Sequence, residues 1–560
     1  MIQLSVAEIA EIVGGTVTAG PVAAGPVTVG PVTPGSAPMG SAPVGAAAPN
    51  VPGVPGASGV SGASGVSGVS GVSGASGASG ASGIPDSNSE SGIPEISAYE
   101  AVKAGSSLVT GPVVTDSRQA VPGALFAALP GERVDGHDYA AAAVGGGATA
   151  VLAARPLPGA GAPVIVVPDV TAALGALARA VLGRLVNVTV VGITGSSGKT
   201  STKDLTAQVV ERLGPTIAPE GSLNNEIGLP LTVLRADETT RYLILEMSAR
   251  GIGHIAYLTG IAPPRIGAVL NVGLAHAGEF GSVDAVTKAK GELVESLPSA
   301  RNGGVAVLNA DDPNVAAMAA RTSARVVTTS VLPASVEPLP EADVIATDIG
   351  LDDLGRASFG MIMGGTTANV RLKLHGRHHV ANALAAAAIA GELGMGTSAI
   401  AAALSDATAR SKKRMELHER PDGVLVVNDA YNANPDSTRA AIEALGHLTG
   451  QGRSRRGLAV LGYMAELGDI ATESHQEAGR LAAQAGAAVI IAVGEGAAPV
   501  LDGARAADGW QGEAIAVPDP GHAVAALQNR LRPGDVVLVK ASKVAGLWEV
   551  ADGLLGEVDQ

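Results

Sequence analysis

Residues 186–214 read VNVTVVGITGSSGKTSTKDLTAQVVERLG. A β-branched apolar run opens straight onto a loop with glycines at 192, 195 and 198. Such a run suits a buried parallel strand, which is covered on both faces. After Gly198-Lys199-Thr200 the apolar residues recur at helical spacing as far as Gly214. Strand, glycine loop and helix in this order require an α/β sheet. They also aim the free N–H groups of a helix N-terminus at one point, where an anion such as phosphate is stabilised.

The usual phosphate loop has a glycine at the position held here by Ile193. The segment Gly195, Ser196, Ser197, Gly198, Lys199, Thr200 and Ser201 is still compact enough to wrap a phosphate. Lys199 can neutralise phosphate oxygens, and the Thr200 hydroxyl can ligate Mg²⁺. An ordinary strand–helix turn is the alternative.

A phosphate loop of this kind needs an acid at the end of a neighbouring strand. RYLILEMSARG (241–251) supplies Glu246 after an apolar run, at the strand edge where open α/β sheets place ligands. RIGAVLNVGLAHAGEFGS (265–282) is a further strand, ending in a turn that holds His276. There it could face a second Mg²⁺ or a phosphate. VDAVTKAKGELVESL (283–297) follows as an amphipathic helix with Lys288, assigned to its solvated face, and Lys290.

The chain has 560 residues, enough for about three or four domains. Aromatic residues make up 2%, so the cores must be built from Ala, Val, Leu and Ile. Without cysteine, disulfides, thiolate metal sites and a cysteine nucleophile are excluded. A net charge of −15 argues against a nucleic-acid partner. The start MIQLSVAEIAEIVGG lacks the features of a secretory signal, and no apolar run is long enough to span a membrane. A cytoplasmic, monomeric protein without an integral membrane segment is expected.

From Ile12 to Pro85 no residue is charged, and from Gly53 to Gly83 glycine recurs at every third position. The repeats are mostly Gly-Val-Ser and Gly-Ala-Ser, too poor in proline for a collagen helix. Residues 18–93 are therefore expected to be a disordered, linker-like insertion. The pieces 1–17 and 94–185 on either side form one small α/β domain. Residues 186–411 form a central parallel sheet of the phosphate-loop ATPase kind. In 412–560 strands such as GVLVVNDA, RGLAVLGYM, AAVIIAVGEG and DVVLVKAS alternate with helices, the pattern of a doubly wound, Rossmann-like sheet. The fold class is α/β with three domains.

Several blocks, in this order, resemble the Mur ligase family of ATP-dependent peptidoglycan precursor ligases. They are TDSRQAVPGALFAALPGERVDGHDY (115–139), GITGSSGKTS (192–201), SLNNEIGLP (222–230), NVGLAHAGEFGS (271–282), AKGELVESLP (289–298), GRHHVANALAA (376–386), NDAYNANPDS (428–437) and MAELGD (464–469). LNNEIGLP and DAYNANPDS point to the member that adds D-alanyl-D-alanine to UDP-N-acetylmuramoyl-tripeptide.

The resemblance implies ATP and Mg²⁺ as cofactors and an acyl-phosphate intermediate. Residues 195–201 would hold the ATP phosphates. Thr200 and Glu246 would bind one Mg²⁺ and His276 the other, joined by Lys290 if it is carbamylated. Asn382 would contact adenine, with Arg414 and Asp429 near the phosphates and ribose. Ser117 and Arg118 would meet the uridine nucleotide, and Asn224 and Asn225 the peptidyl substrate. The sequence departs from the family pattern at Tyr463, Ala541 and Lys543, which bears on substrate contacts because Lys lacks the fork of Arg. A sister ligase adding another amino acid, a nucleotide-hydrolysing switch or motor and a non-catalytic phosphate-loop protein remain as alternatives.

Overall fold

The computed structural model describes residues 1–18, 105–131, 134–273, 277–331, 342–450 and 455–556. Apart from Thr18, the insertion expected at 18–93 lies outside these residues, and so does His276.

The two pieces of chain flanking residues 19–104 are joined. Leu4–Ser5 pairs antiparallel with Leu108–Val109. The strand β1 (Thr16–Thr18) pairs antiparallel with β5 (Val164–Val166). With β2 (Val113–Val114), β3 (Leu125–Ala127) and β4 (Ala150–Ala153) they make a five-stranded sheet in the order β1-β5-β4-β3-β2. Helix α1 (Val6–Val13) starts at a capping box, in which Ser5 and Glu8 satisfy each other's backbone N–H. Its buried Val6 and Ile9 share one core with Leu125, Leu152 and the helix α2 (Val170–Arg184). That core runs on without a break to Leu243 and Leu293 beside the next sheet.

The central sheet has nine strands: β6 (Thr189–Thr194), β7 (Thr216–Ile217), β8 (Tyr242–Glu246), β9 (Ile266–Val269), β10 (Val305–Asn309), β11 (Arg325–Val331), β12 (Val344–Leu351), β13 (Arg356–Met363) and β14 (Thr366–His375). Their order is β14-β13-β12-β11-β10-β9-β6-β8-β7. The pairings from β7 across to β12 are parallel. At the other edge β12, β13 and β14 run antiparallel, an extension that the expectation of a parallel sheet did not include. Gly364 and Gly365, at φ 57° and 72°, turn the chain between β13 and β14. Two successive positive φ values are what a tight hairpin requires.

Helix α3 (Lys199–Val210) follows β6. It packs on helix α4 (His379–Glu392), where the buried alanines 383, 385–388 and 390 permit close approach. In a chain with so few aromatic rings, such small-residue packing fills the core.

The third sheet contains β15 (Glu416–Glu419), β16 (Leu425–Asp429), β17 (Gly457–Gly462), β18 (Ala487–Val493), β19 (Glu513–Val517) and β20 (Val536–Lys540). Its order is β15-β16-β20-β17-β18-β19, parallel except for the edge strand β15. Helices cover both faces, as in other doubly wound sheets. Among the described residues no helix is long and apolar enough to cross a membrane.

Candidate active site

A cavity of about 400 Å³ lies where the carboxyl ends of β6, β8, β9 and β16 converge. The central and third sheets both line it.

The glycine loop is held before any ligand is considered. Ile193, at the position where a glycine is usual, is fully buried in the core of the sheet. Asn271 clamps the next turn: its Oδ1 accepts from Ser197 N at 2.8 Å and its Nδ2 donates to Ser197 O at 3.2 Å. Ser196 Oγ accepts from Gly273 N at 2.8 Å. Gly198 caps α3 at φ 78°, in the left-handed region, where glycine avoids a steric penalty. A Cβ there would also come within 2.5 Å of Asn382 Oδ1. The loop is therefore a cradle that a side chain would fill.

Lys199 opens the helix and donates to Gly195 O at 2.8 Å. Burial pushes its pKa down; the charge of Glu246 opposes this and that of Arg414 adds to it. Thr200 Oγ1 donates to Glu246 Oε2 at 2.8 Å, and Asn224 Nδ2 donates to Glu246 Oε1 at 2.6 Å. Both carboxylate oxygens are thus oriented. A hydroxyl and a carboxylate offer oxygen donors only, the preference of Mg²⁺. No cluster of three or more His, Cys, Asp or Glu among the described residues could hold a metal. A pair of protein donors matches the habit of Mg²⁺, which keeps several waters and takes ligands from bound phosphates.

Lys290 lies on α5 (Val283–Glu295), a helix inserted between α3 and α4 in the chain, and is 3% exposed. Lys290 makes no hydrogen bond or ion pair with the described residues. Burial, and secondarily the charge of Lys199, pushes its pKa well below the ordinary lysine value. Lys288, two positions earlier, is exposed as expected.

The third sheet brings Asp429, at the end of β16, to the cavity. Lys540, at the end of β20, binds it at 2.7 Å and donates to Asn432 O at 2.9 Å. Arg414 sits over the Tyr431 ring at 4.4 Å, and the Tyr431 hydroxyl meets Ser222 Oγ at 2.5 Å. Asn434 caps the helix α6 (Pro435–Thr449) and donates to Ser196 O at 3.3 Å, tying the third sheet to the glycine loop. Asn225 lines the cavity and accepts from Gly228 N at 2.9 Å.

Ser117 and Arg118 are not brought to this cavity. They lie on a short 3-10 turn beside β2, where the exposed Arg118 pairs with Asp116 at 2.6 Å. Sequence reasoning missed Lys540, Tyr431 and Asn434. Only Lys540 left a signal, a lysine ending the apolar run VVLV. The departures from the family pattern are accommodated. Tyr463 stacks on His475 with ring centroids 5.5 Å apart. Ala541 is buried where Gly462 leaves room for its methyl group, and Lys543 Nζ lies 5.7 Å from the Tyr431 ring.

Three family models match: the Mur ligase family, catalytic domain, over residues 112–181; the Mur ligase middle domain over 193–390; and the Mur ligase, glutamate ligase domain over 413–543. The UDP-N-acetylmuramoyl-tripeptide–D-alanyl-D-alanine ligase of Mycobacterium tuberculosis is 49% identical over 486 residues, covering 80% of this chain and 93% of its own length. The Escherichia coli protein of the same name is 36% identical, covering 70% and 83%. Among solved structures, MurF from Acinetobacter baumannii superposes with a TM-score of 0.70 at 31% identity, covering 80% of this chain and 94% of its own. MurF ligase from Thermotoga maritima in complex with ADP gives 0.67 at 28% identity, covering 80% and 98%.

Proposed function

This chain belongs to the Mur ligase family, and from that premise we propose that it is the ATP-dependent ligase adding D-alanyl-D-alanine to UDP-N-acetylmuramoyl-tripeptide in peptidoglycan precursor synthesis. The observation that carries this reading beyond a nucleotide site is the meeting of two sheets in one cavity. The glycine loop and Glu246 lie on one side, and Asp429, Lys540 and Arg414 on the other. A ligase must align a nucleotide, a carboxylate and an amine, and alignment of that kind is worth effective molarities of about 10⁵–10⁸ M.

The acceptor carboxylate is a poor electrophile. Phosphoryl transfer to it gives an acyl phosphate; attack by the dipeptide amine forms a tetrahedral intermediate, and phosphate leaves. Lys199 offsets the repulsion between carboxylate and γ-phosphate. Thr200 and Glu246 would hold Mg²⁺, which would supply further neutralisation of phosphoryl charge. Asn224 keeps Glu246 turned toward Thr200. Asn382, Arg414 and Asp429 hold the nucleotide, and Asn225 faces the peptide.

Lys290 is the group suited to carbamylation, because CO₂ adds to a neutral amine and burial shifts this amine toward its neutral form. The product would replace a cation with a carboxylate and give the site an oxygen ligand for a second metal. Ser117 and Arg118 serve the uridine nucleotide from the first sheet. The reaction is assigned to the cytoplasm.

The test is ADP release by the purified protein with ATP, Mg²⁺, UDP-N-acetylmuramoyl-tripeptide and D-alanyl-D-alanine. Release that requires both acceptor and dipeptide supports the ligase. Release indifferent to the dipeptide overturns it.

A further inference from the structure

Among the cations lining the cavity, one has no work in the reaction as described. Lys199 is bound to the glycine loop, Lys540 to Asp429, and Arg414 lies on Tyr431. Arg250 also lines the cavity, four residues beyond Glu246, and is exposed. Its backbone N–H donates to His254 Nδ1 at 3.3 Å. Its guanidinium has no ion-pair or hydrogen-bond partner among the described residues.

The position of Arg250 is fixed by its neighbours. Ser248 N donates to Asn224 O at 3.0 Å, so the segment leaving β8 is tied to the loop that carries Asn224 and Asn225. On the other side Glu292 accepts from Gly253 N and, at 2.9 Å, from Ala256 N. Glu292 thereby anchors the turn that follows Arg250. An exposed guanidinium thus stands on a braced segment of the cavity wall, tied to the loop of Asn224 and Asn225.

The cavity is also lined by the acids Glu226 and Glu246. An acceptor with any carboxylate besides the one being activated would be repelled there without a cation. We propose that Arg250 is a specificity-determining residue that binds a non-reacting carboxylate of the acceptor peptide. The inference rests on the ligase reading above. It narrows the assignment within that reading: of the acceptor's free carboxyl groups, one is activated at Lys199 and another is read at Arg250. A guanidinium suits this task because its fork accepts a carboxylate through two parallel hydrogen bonds.

The test is steady-state kinetics of the full chain, using Arg250→Ala and Arg250→Lys with the native acceptor and with an acceptor whose non-reacting carboxyls are amidated. Arg250→Ala is expected to raise the acceptor KM by about ten- to a hundredfold, the loss of a charge-assisted hydrogen bond. The KM values for ATP and dipeptide, and kcat at saturation, should move by less than about twofold, because Arg250 touches no reacting atom. Arg250→Lys should recover part of the loss. Amidation should weaken binding to the wild type and have little further effect on Arg250→Ala. An unchanged acceptor KM in Arg250→Ala overturns the proposal. An equal amidation penalty in both proteins also overturns it, and would assign Arg250 to another anion such as the diphosphate. If the wild type shows no dipeptide-dependent ADP release, the ligase reading itself has failed, which these outcomes do not resemble.

Discussion

Thr200 and Glu246 stand 46 positions apart in the chain, yet their side chains are hydrogen-bonded at 2.8 Å with both residues buried. Parallel pairing of β6 with β8, in the register Glu246 to Ile193, creates this meeting. Asn224 completes it from a loop by holding the second carboxylate oxygen. Asn224→Ala should therefore weaken the apparent Mg²⁺ affinity by about 10–100-fold, the usual effect of losing a partner that orients a metal ligand. Initial rates against Mg²⁺, together with Mn²⁺ binding followed by paramagnetic resonance, would measure it. An unaltered titration would show that Thr200 alone orients the carboxylate.

Lys199→Met should reduce turnover by at least about 10²–10³-fold, the scale for removing one preorganised charge-stabilising group. The far-ultraviolet circular dichroism should stay that of the parent. Near-normal ADP release would refute the role of the loop.

Gly198→Ala faces two obstacles, the φ of 78° and the approach to Asn382 Oδ1. The backbone strain alone should cost about 1–3 kcal/mol, seen as a lower midpoint in urea unfolding, and the KM for ATP should rise. Combining it with Asn382→Ala removes the contact but not the φ penalty, so stability should return only in part. Full recovery would mean that the contact was the whole cost.

Burial holds the His378 pKa down to about 4 from 6.5, with the charge of Asp429 opposing and that of Lys540 assisting. Between those values the unfolded chain binds the proton that the folded chain refuses. The stability due to neutral His378 is therefore complete above pH 6.5 and is lost as pH falls toward 4. At 1.36 kcal/mol per pKa unit the total is about 3 kcal/mol. His378→Asn should flatten this part of the stability–pH curve measured by urea unfolding. A parallel curve would assign the acid sensitivity to other groups.

Because β1 runs to Thr18, a shortened chain should begin its deletion after that residue. Replacing 19–92 with a short Gly-Ser linker should leave kcat and KM within about twofold, since closure entropy changes slowly with loop length. Loss of the folded transition would give the insertion a structural role.

The parts of the site that were legible in the sequence are local. Strand, glycine loop and helix announce themselves within 186–214, and Glu246 ends an apolar run. The different fates of Lys288 and Lys290 follow from helix geometry, since two positions turn the side chain about 200°. The hairpin of β13 and β14 has a local signal in Gly364-Gly365, but nothing local tells that it extends the same sheet. Tyr431 and Asn434 could not be assigned from spacing, because their partners Ser222 and Ser196 lie 209 and 238 positions away. Arg118 shows the reverse: its block is recognisable in the sequence, and the structure sets it on the first sheet, paired with Asp116, apart from the cavity.

The bond from Asn434 to Ser196 has a thermodynamic consequence. The cap of a helix in the third sheet is written into the same loop that would grip the nucleotide. Any ligand that changes the fit of that loop must also change how firmly the third sheet is docked, and by linkage the reverse holds to the same extent. Nucleotide affinity and the docking of the third sheet are therefore coupled quantities, and measuring one while varying the other yields a single coupling constant.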